Sequence, residues 1–287
     1  MHVKTLITPI LLPALFVGMV QAEPLIESRE YKILLDPAHF SGGKDQAKNQ
    51  TENFLNDFNT ELKKQGLADT VKKEFKADKV RLVSFYDTPG TCKLKADNYV
   101  VRERIQVKSS KREIMMKRRT NTLAELEGVT LAGASPDSSS KVETDIVPGK
   151  VVYSISTKQT VGTEPLDSIE SLDKLFPDLE LNFKQTGALA KVSNLSIIEH
   201  SFEGPELKLD GQSFKFDLSI WYVTDETKPV IVELSYKITE PTGKFSAESL
   251  SGAEKIMSTI SDMNKWAAPE SMMKTNWVYQ YQPGFCK

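Results

Sequence analysis

The chain has 287 residues, with 37 lysines and arginines against 39 carboxylates and a formal net charge of −2. A charge this close to balance gives no overall attraction to nucleic acid, so a site for an anion has to be local. The length suits one large β-rich domain or two small ones, and the three histidines lack the spacing of metal ligands.

The first 22 residues have the pattern of a cleavable signal peptide. Lys4 precedes an apolar run from Leu6 to Val20, and a small-x-small sequence ends at Ala22. A membrane anchor is the alternative, but the run is short for a span and contains two prolines. We expect a mature chain that starts near Glu23, is periplasmic or secreted, and contacts no membrane after cleavage.

Most of the remaining chain alternates apolar and polar residues with the period of a β-strand. The nine strand-like segments are residues 27–35, 81–86, 99–108, 112–119, 141–147, 151–158, 189–202, 213–223 and 230–239. Helical periodicity occurs at residues 46–66, 69–75, 169–176 and 247–266, and polar loops are expected at 132–140 and 224–228. Strands in this order predict an antiparallel barrel or sandwich.

The predicted domain organisation is simple. Residues 1–22 form the signal peptide, residues 23–240 form one β-rich domain, and residues 241–287 form a helical extension that packs on it. The only two cysteines are Cys92 and Cys286, and an oxidising compartment would let them pair. The alternative is two unpaired thiols.

Charged side chains share faces on several predicted strands. Arg102 and Arg104 fall on one face of their strand, as do Glu143 and Asp145 on another, and Glu30 and Lys32 on the first. On a single strand, a polar face usually meets water. In a closed barrel with these faces turned inward, they would line a charged tunnel.

Five short segments, in order across about residues 27–239, resemble the motifs of the CYTH superfamily, the triphosphate tunnel enzymes. Residues 28–32 (SREYK) resemble its N-terminal ExExK strand, and residues 85–89 (FYDTP) resemble its Y-F/Y-D-T-P turn. The others are residues 101–104 (VRER), similar to its L-R-x-R strand, residues 116–117 (MK), similar to its T-L-K strand, and residues 232–235 (VELS), similar to its closing E-x-E strand.

The resemblance implies a mainly β, α+β fold: an antiparallel eight-stranded tunnel-like barrel with flanking helices and a C-terminal helix. Its implied ligand is a small phosphate-containing anion, bound by inward-pointing cations. These cations are Lys32, Arg102, Arg104 and Lys117. The guanidinium of arginine presents a planar fork of donors that matches phosphate oxygens, and lysine adds a point charge.

The resemblance also implies a divalent metal, Mg²⁺ or Mn²⁺, because hard cations prefer carboxylate oxygens. The implied ligands are Glu30 and Glu233, with Glu143 as a weaker match. Lys191 matches a later basic position of the family. The sequence does not assign the register of the strand that contains Lys191.

Two positions depart from the family pattern. Ser28 replaces the first Glu of ExExK, and Ser235 replaces the second Glu of E-x-E. The metal site therefore has fewer charges than the family pattern, and Asp217 or Glu143 is expected to substitute from a neighbouring strand.

Three functions fit these residues. The first is an exported phosphohydrolase that acts on triphosphate, polyphosphate or a nucleotide. The second is a degenerate tunnel that binds an anionic ligand without turnover. The third is a non-enzymatic barrel that binds apolar ligands or proteins. The loss of two carboxylates favours anion binding over hydrolysis. No other catalytic pattern, such as Ser/His/Asp spacing or a phosphate-cradling glycine loop, occurs in the chain.

Overall fold

The computed structural model describes residues 24–67, 74–179, 181, 187–209 and 211–287. The predicted signal peptide and most of the helix predicted at 69–75 lie outside these ranges. Within them, no helix has both the length and the apolar character that crossing a bilayer requires.

Ten strands and five α-helices make up the described chain. The strands are β1 (Ser28–Leu35), β2 (Lys76–Asp87), β3 (Tyr99–Gln106), β4 (Arg112–Thr120), β5 (Ser139–Val147), β6 (Lys150–Val161), β7 (Ala190–Lys191), β8 (Ile197–Leu209), β9 (Gln212–Tyr222) and β10 (Ile231–Thr239). The helices are α1 (Lys44–Lys64), α2 (Lys93–Ala96), α3 (Ile169–Leu175), α4 (Ala247–Ser261) and α5 (Lys274–Tyr281).

The sheet closes on itself. Its strand order is β3-β4-β6-β5-β1-β10-β9-β8-β2, and β2 also pairs with β3, so that nine strands form a ring while the short β7 pairs with the end of β2. This arrangement confirms a mainly β, tunnel-like fold. Two details differ from the expectation: there are ten strands instead of eight, and β1 pairs with β5 in parallel, whereas the other pairings are antiparallel.

The strand predicted at 189–202 is in fact two strands separated by a 3₁₀ turn at Val192–Asn194. Ser193 and Asn194 have φ values of 56° and 50°, and this left-handed backbone cannot continue a strand. The Ser193 hydroxyl donates a hydrogen bond to the carbonyl of Val278. The turn therefore serves as a contact point for α5, which alternation of apolar residues does not reveal.

The main hydrophobic core lies outside the ring. Helices α1 and α4 pack against the outer faces of β1, β8, β9 and β10. Phe58 of α1 meets Phe216 edge to face at 5.7 Å, and Tyr31 stacks on Tyr236 at 5.1 Å between ring centroids. Because residues alternate along a strand, turning the apolar faces outward to the helices turns the polar faces into the ring.

Helix α5 covers one end of the ring. Its buried Val278 and Tyr279 pack among Phe85, Trp221 and other apolar side chains from the ends of β2, β3, β8, β9 and β10 that meet there. The predicted disulfide is confirmed, since Cys92 and Cys286 are bonded with 5.1 Å between their Cα atoms. Neither α2 nor α5 was predicted, and α4 ends five residues earlier than the periodicity indicated.

Candidate functional site

A cavity of about 680 Å³ fills the ring. Eleven lysine and arginine side chains and five carboxylates line it, which leaves an excess of six positive charges. All seven residues that the sequence indicated for phosphate or metal binding lie in this lining. They are Lys32, Arg102, Arg104, Lys117, Glu30, Glu143 and Glu233.

The open end of the cavity is rich in lysine. Lys79, Lys111, Lys141 and Lys158 line it, and all four are exposed. They lie at the ends of their strands that are opposite to α5, as the strand register shows. Exposed ammonium groups in front of a charged interior attract anions and guide them inward.

Arg102 is the clearest anion-binding group in the interior. It is half-buried, it lines the cavity, and among the described residues it forms no ion pair, while its buried Nε–H has no acceptor. Burial and the neighbouring Arg104 lower the pKa of Arg102 to about 9, although Glu199 and Glu113 oppose the shift. The guanidinium therefore remains charged at neutral pH with no carboxylate in contact.

Glu199 holds the other two arginines of this side in place. It is 1% exposed and lies beneath the cavity on β8. Arg81 Nη1 donates to its Oε1 at 2.8 Å, while Arg104 Nη2 and Trp221 Nε1 donate to its Oε2 at 3.3 and 2.9 Å. Burial alone would raise the pKa of Glu199, but the charges of Arg104, Lys274 and Arg81 and the hydrogen bond from Trp221 hold it well below its usual range. The carboxylate thus fixes the orientation of the two arginines.

Three carboxylates meet on the opposite side of the ring. One oxygen from each of Glu30, Glu143 and Asp145 lies within 4.8 Å of the others. Asp145 is the register partner of Glu30, and Glu143 is the register partner of Ser28. The parallel pairing of β1 with β5 therefore places an acid beside the position where Ser28 replaces the family's glutamate.

Three lysines form ion pairs with this group, and one of them is Lys141, whose Nζ contacts Glu143 Oε2. Lys32 Nζ lies 2.6 Å from Asp145 Oδ1 and 2.9 Å from Glu30 Oε2, and Lys117 Nζ lies 2.6 Å from Glu143 Oε1 and 3.2 Å from Asp145 Oδ2. Burial opposes charge on Glu143, Asp145 and Lys32. The ion pairs nevertheless hold the pKa of Glu143 at about 2, keep the pKa of Asp145 far below its usual range and raise that of Lys32.

Glu233 does not join the carboxylate group. Its Oε1 lies 2.8 Å from Nζ of Lys274, the first residue of α5, and both side chains are largely buried. Lys274 Nζ also donates to Ser219 Oγ at 2.8 Å and lies 4.8 Å from the centre of the Trp221 ring. The neighbouring Arg119 donates to Thr275 Oγ1 at 2.6 Å. The α5 end of the cavity is therefore closed by polar contacts between the helix and the ring.

Other expectations are corrected. Asp217 is exposed and Lys191 contacts Ser196, and neither residue is part of the cavity lining. Glu143, the other expected substitute, does lie beside Ser28. A further acid comes from Asp145, two residues after Glu143, and a further base comes from Arg119, two residues after Lys117. Continued alternation along each strand could have identified both.

Lys274 and Glu199 were missed for different reasons. Lys274 lies in a helix that carries no strong sequence signal, so nothing local places it inside the ring. The alternation around Glu199 predicts an ordinary strand, although a glutamate next to apolar residues such as Ile197 and Ile198 indicates a buried partner.

The DTP turn is structural. Asp87 is fully buried, and its carboxylate accepts hydrogen bonds from the backbone N–H groups of Thr88, Leu94 and Lys95 and from the hydroxyl of Tyr279. It thereby joins the end of β2, the short helix α2 and α5. The turn does not line the cavity; it sets the position of the helix that covers it.

The sequence matches no family model and no curated protein. Among solved structures, it is similar to a candidate adenylyl cyclase from Hippeastrum, described as having a dominant triphosphatase activity, with a TM-score of 0.44, 9% identity and coverage of 90% of this chain and 97% of that one. A candidate adenylate cyclase from Bacillus halodurans gives a TM-score of 0.38, 12% identity and coverage of 89% and 98%.

A third such protein, a candidate adenylate cyclase from Vibrio parahaemolyticus, gives a TM-score of 0.32, 9% identity and coverage of 89% of this chain and 98% of that one. Similarities at this level do not assign the chain to a family.

Proposed function

We propose that this protein binds a small polyanion of the triphosphate or polyphosphate class, such as an inorganic chain or the phosphates of a nucleotide, inside the ring. One observation carries the proposal: eleven cations face five carboxylates in a single cavity, and Arg102 has no carboxylate partner there. The volume of about 680 Å³ suits a small molecule. A cavity with this surplus of charge gains most from a ligand with several negative charges.

The CYTH-like motifs support the same ligand class. Their four expected phosphate-binding cations, which come from three separate strands, lie in the one cavity. Guanidinium and ammonium groups bind phosphate oxygens through charge-assisted hydrogen bonds. An apolar ligand would leave Arg102 desolvated and without a partner, so the charged lining disfavours the apolar ligands considered under the third function.

Hydrolysis of the bound chain is a second candidate function, and the carboxylate group of Glu30, Glu143 and Asp145 is the observation that favours it. Its oxygen donors fit a hard divalent cation such as Mg²⁺ or Mn²⁺. Such a metal would neutralise phosphate charge and activate water. Glu233 does not fit the same role, because it lies outside this group of three and its single carboxylate is already paired with Lys274.

Binding is tested by calorimetric titration with tripolyphosphate, in EDTA and again in Mg²⁺. We expect wild type to bind, and Arg102→Ala to bind about tenfold or more weakly, since a charge-assisted hydrogen bond contributes about 1.5–3 kcal/mol. Arg102→Lys should keep part of the affinity. Lys63→Ala, an exposed lysine near the end of α1 and outside the ring, is the matched control. Absence of binding by wild type would exclude the proposed ligand.

Hydrolysis is tested separately by release of phosphate from tripolyphosphate with Mg²⁺ or Mn²⁺. Release by wild type that is lost in Glu143→Gln and Asp145→Asn would establish the enzyme. Binding without release under either metal would identify a binding protein.

We also propose that the protein is exported. The apolar run near the N-terminus and the Cys92–Cys286 disulfide support this location, because disulfides persist in oxidising compartments. Expression of the full chain in a bacterial host, followed by N-terminal sequencing of the periplasmic fraction, should give a mature start near Glu23. Recovery of the uncleaved chain in the cytoplasm would contradict export.

A further inference from the structure

We infer that Lys274 is a built-in counter-cation for Glu233, so that anions bind at the α5 end of the cavity without a divalent metal. The inference deepens the proposed function and rests on it for the ligand class. It assigns a role to a residue outside the strands of the ring and outside the CYTH-like motifs.

The contacts of Lys274 fix its ammonium inside the cavity wall. Nζ lies 2.8 Å from Glu233 Oε1 and 2.8 Å from Ser219 Oγ, and the face of Trp221 lies below it at 4.8 Å. The Lys274 side chain is 16% exposed and that of Glu233 is 8% exposed. An ammonium has three N–H donors, and these two oxygens use two of them. The third is left for an oxygen of a ligand in the cavity.

The same contacts prevent Glu233 from serving as a metal ligand. A divalent cation on this carboxylate would lie close to the ammonium, and the repulsion between the two would be weakly screened in a partly buried site. Glu233 also has no second acid two residues further along its strand, because that position is Ser235. One carboxylate with a lysine already on it is a poor site for Mg²⁺ or Mn²⁺.

The position of Lys274 is set before a ligand arrives. It is the first residue of α5, and α5 is held by the Tyr279–Asp87 hydrogen bond, by the bond from Ser193 to the Val278 carbonyl and, just beyond its end, by the disulfide of Cys286. A cation fixed in this way costs little conformational entropy when it binds an anion. The C-terminal helix therefore completes the anion site as well as covering the ring.

The first experiment compares wild type, Lys274→Met and Lys274→Arg by titration with tripolyphosphate in EDTA. We expect Lys274→Met to bind about tenfold more weakly, and Lys274→Arg to retain more affinity than Lys274→Met because it keeps the positive charge. Lys265→Ala, an exposed lysine also paired with a carboxylate, that of Asp57, is the matched control. Equal affinities of Lys274→Met and wild type would overturn the inference.

The second experiment titrates Mn²⁺ alone, with electron paramagnetic resonance to measure the free ion. Glu233→Gln should bind as many Mn²⁺ ions as wild type, because the carboxylate of Glu233 is paired with Lys274 and is not a metal ligand. Fewer Mn²⁺ ions bound by Glu233→Gln than by wild type would overturn the inference. This result does not depend on the anion, so it remains decisive if wild type fails to bind tripolyphosphate and the proposed function is wrong.

Glu233→Gln provides a check that keeps Lys274 and the packing of α5. Removal of the carboxylate frees the ammonium for the ligand, so the affinity for tripolyphosphate in EDTA should rise by about threefold or more. A fall in affinity in this variant, with an unchanged melting temperature, would contradict the counter-cation role.

Discussion

The hydroxyl of Tyr279 donates a 2.7 Å hydrogen bond to the carboxylate of Asp87, and this contact joins the last helix of the chain to the turn after β2. Both residues are buried. Burial raises the pKa of both groups, and the close carboxylate raises that of the Tyr279 hydroxyl further. The hydroxyl therefore stays protonated and acts as the donor. The FYDTP turn, which resembles a motif of the CYTH superfamily, thus anchors α5.

Loss of this hydrogen bond should destabilise the protein. We expect Tyr279→Phe to lower the free energy of unfolding by about 1.5–3 kcal/mol, the range for a hydrogen bond to a charged group. Chemical denaturation measures the change. Tyr281→Phe, on the same helix but 44% exposed, is the control and should differ little from wild type. Equal losses of stability in the two variants would show that the hydrogen bond to Asp87 contributes no more than an exposed hydroxyl does.

Removal of the Glu199 carboxylate should destabilise the protein more than removal of the Tyr279 hydroxyl. In Glu199→Gln, Arg81 and Arg104 lose their shared partner, and the expected loss of stability is about 3 kcal/mol, as for a broken buried ion pair. Glu203→Gln on the same strand removes an exposed pair with Lys215 and should cost less than about 1 kcal/mol. Thermal and urea unfolding compare them. A Glu199→Gln variant as stable as Glu203→Gln would contradict this role.

Acid should destabilise the ring through its buried carboxylates. Burial alone would raise the pKa of Glu143, but Lys117 lowers it in the folded protein from 4.5 to about 2. Because the folded pKa is the lower one, the ion pair contributes its full stability above about pH 4.5 and loses it as pH falls toward 2. Asp145 and Glu199, whose pKa values are also lowered despite burial, add to the same trend.

The measurement is the free energy of unfolding between pH 7 and pH 2. Wild type should lose stability steeply below about pH 4.5, and Glu143→Gln should show a shallower loss from a lower starting stability. Glu270→Gln, exposed and outside the cavity, should keep the wild-type slope. If Glu143→Gln has the same slope as wild type, its ion pair with Lys117 does not drive the acid sensitivity.

The disulfide should stabilise the whole fold. It closes a loop across 194 residues and holds the segment after α5 against the turn after β2. We expect the double variant Cys92→Ser with Cys286→Ser to lose about 2–4 kcal/mol of stability. Amide hydrogen exchange in α5 should also become faster. Reduced wild type should have the same stability and exchange rates as the double variant, and a reductant should not change either property of the variant. If α5 of wild type stays protected from exchange after reduction, its other contacts hold the helix in place without the disulfide.

The outer packing and the inner polar faces of the ring could be predicted from alternation alone. In β9, Phe214, Phe216 and Leu218 are buried on one face, as their spacing indicated. The reason is physical: a strand with one apolar face must turn it to a core, and its other face is then determined. The same logic placed Arg102 and Arg104 on a common face.

The parts of the site that come from distant segments could not be predicted in this way. Asp145 lies beside Glu30 because β1 pairs with β5 in parallel, and local periodicity carries no information on strand order. The break at Ser193 depends on a backbone conformation stabilised by contact with α5. Lys274 reaches the cavity only because its helix is anchored more than 180 residues away along the chain.

The sequence by itself therefore determined which residues carry charge, which strand faces share them and that two cysteines were available to pair. Only the tertiary structure decided which charges neutralise one another and which remain for a ligand. Ion pairs between strands and helices depend on register and on packing over long sequence separations, whereas the side-chain alternation of a strand depends on its neighbours alone. Within the described part of the chain, that division leaves Arg102 without a carboxylate partner and gives Glu233 a lysine in place of a second acid.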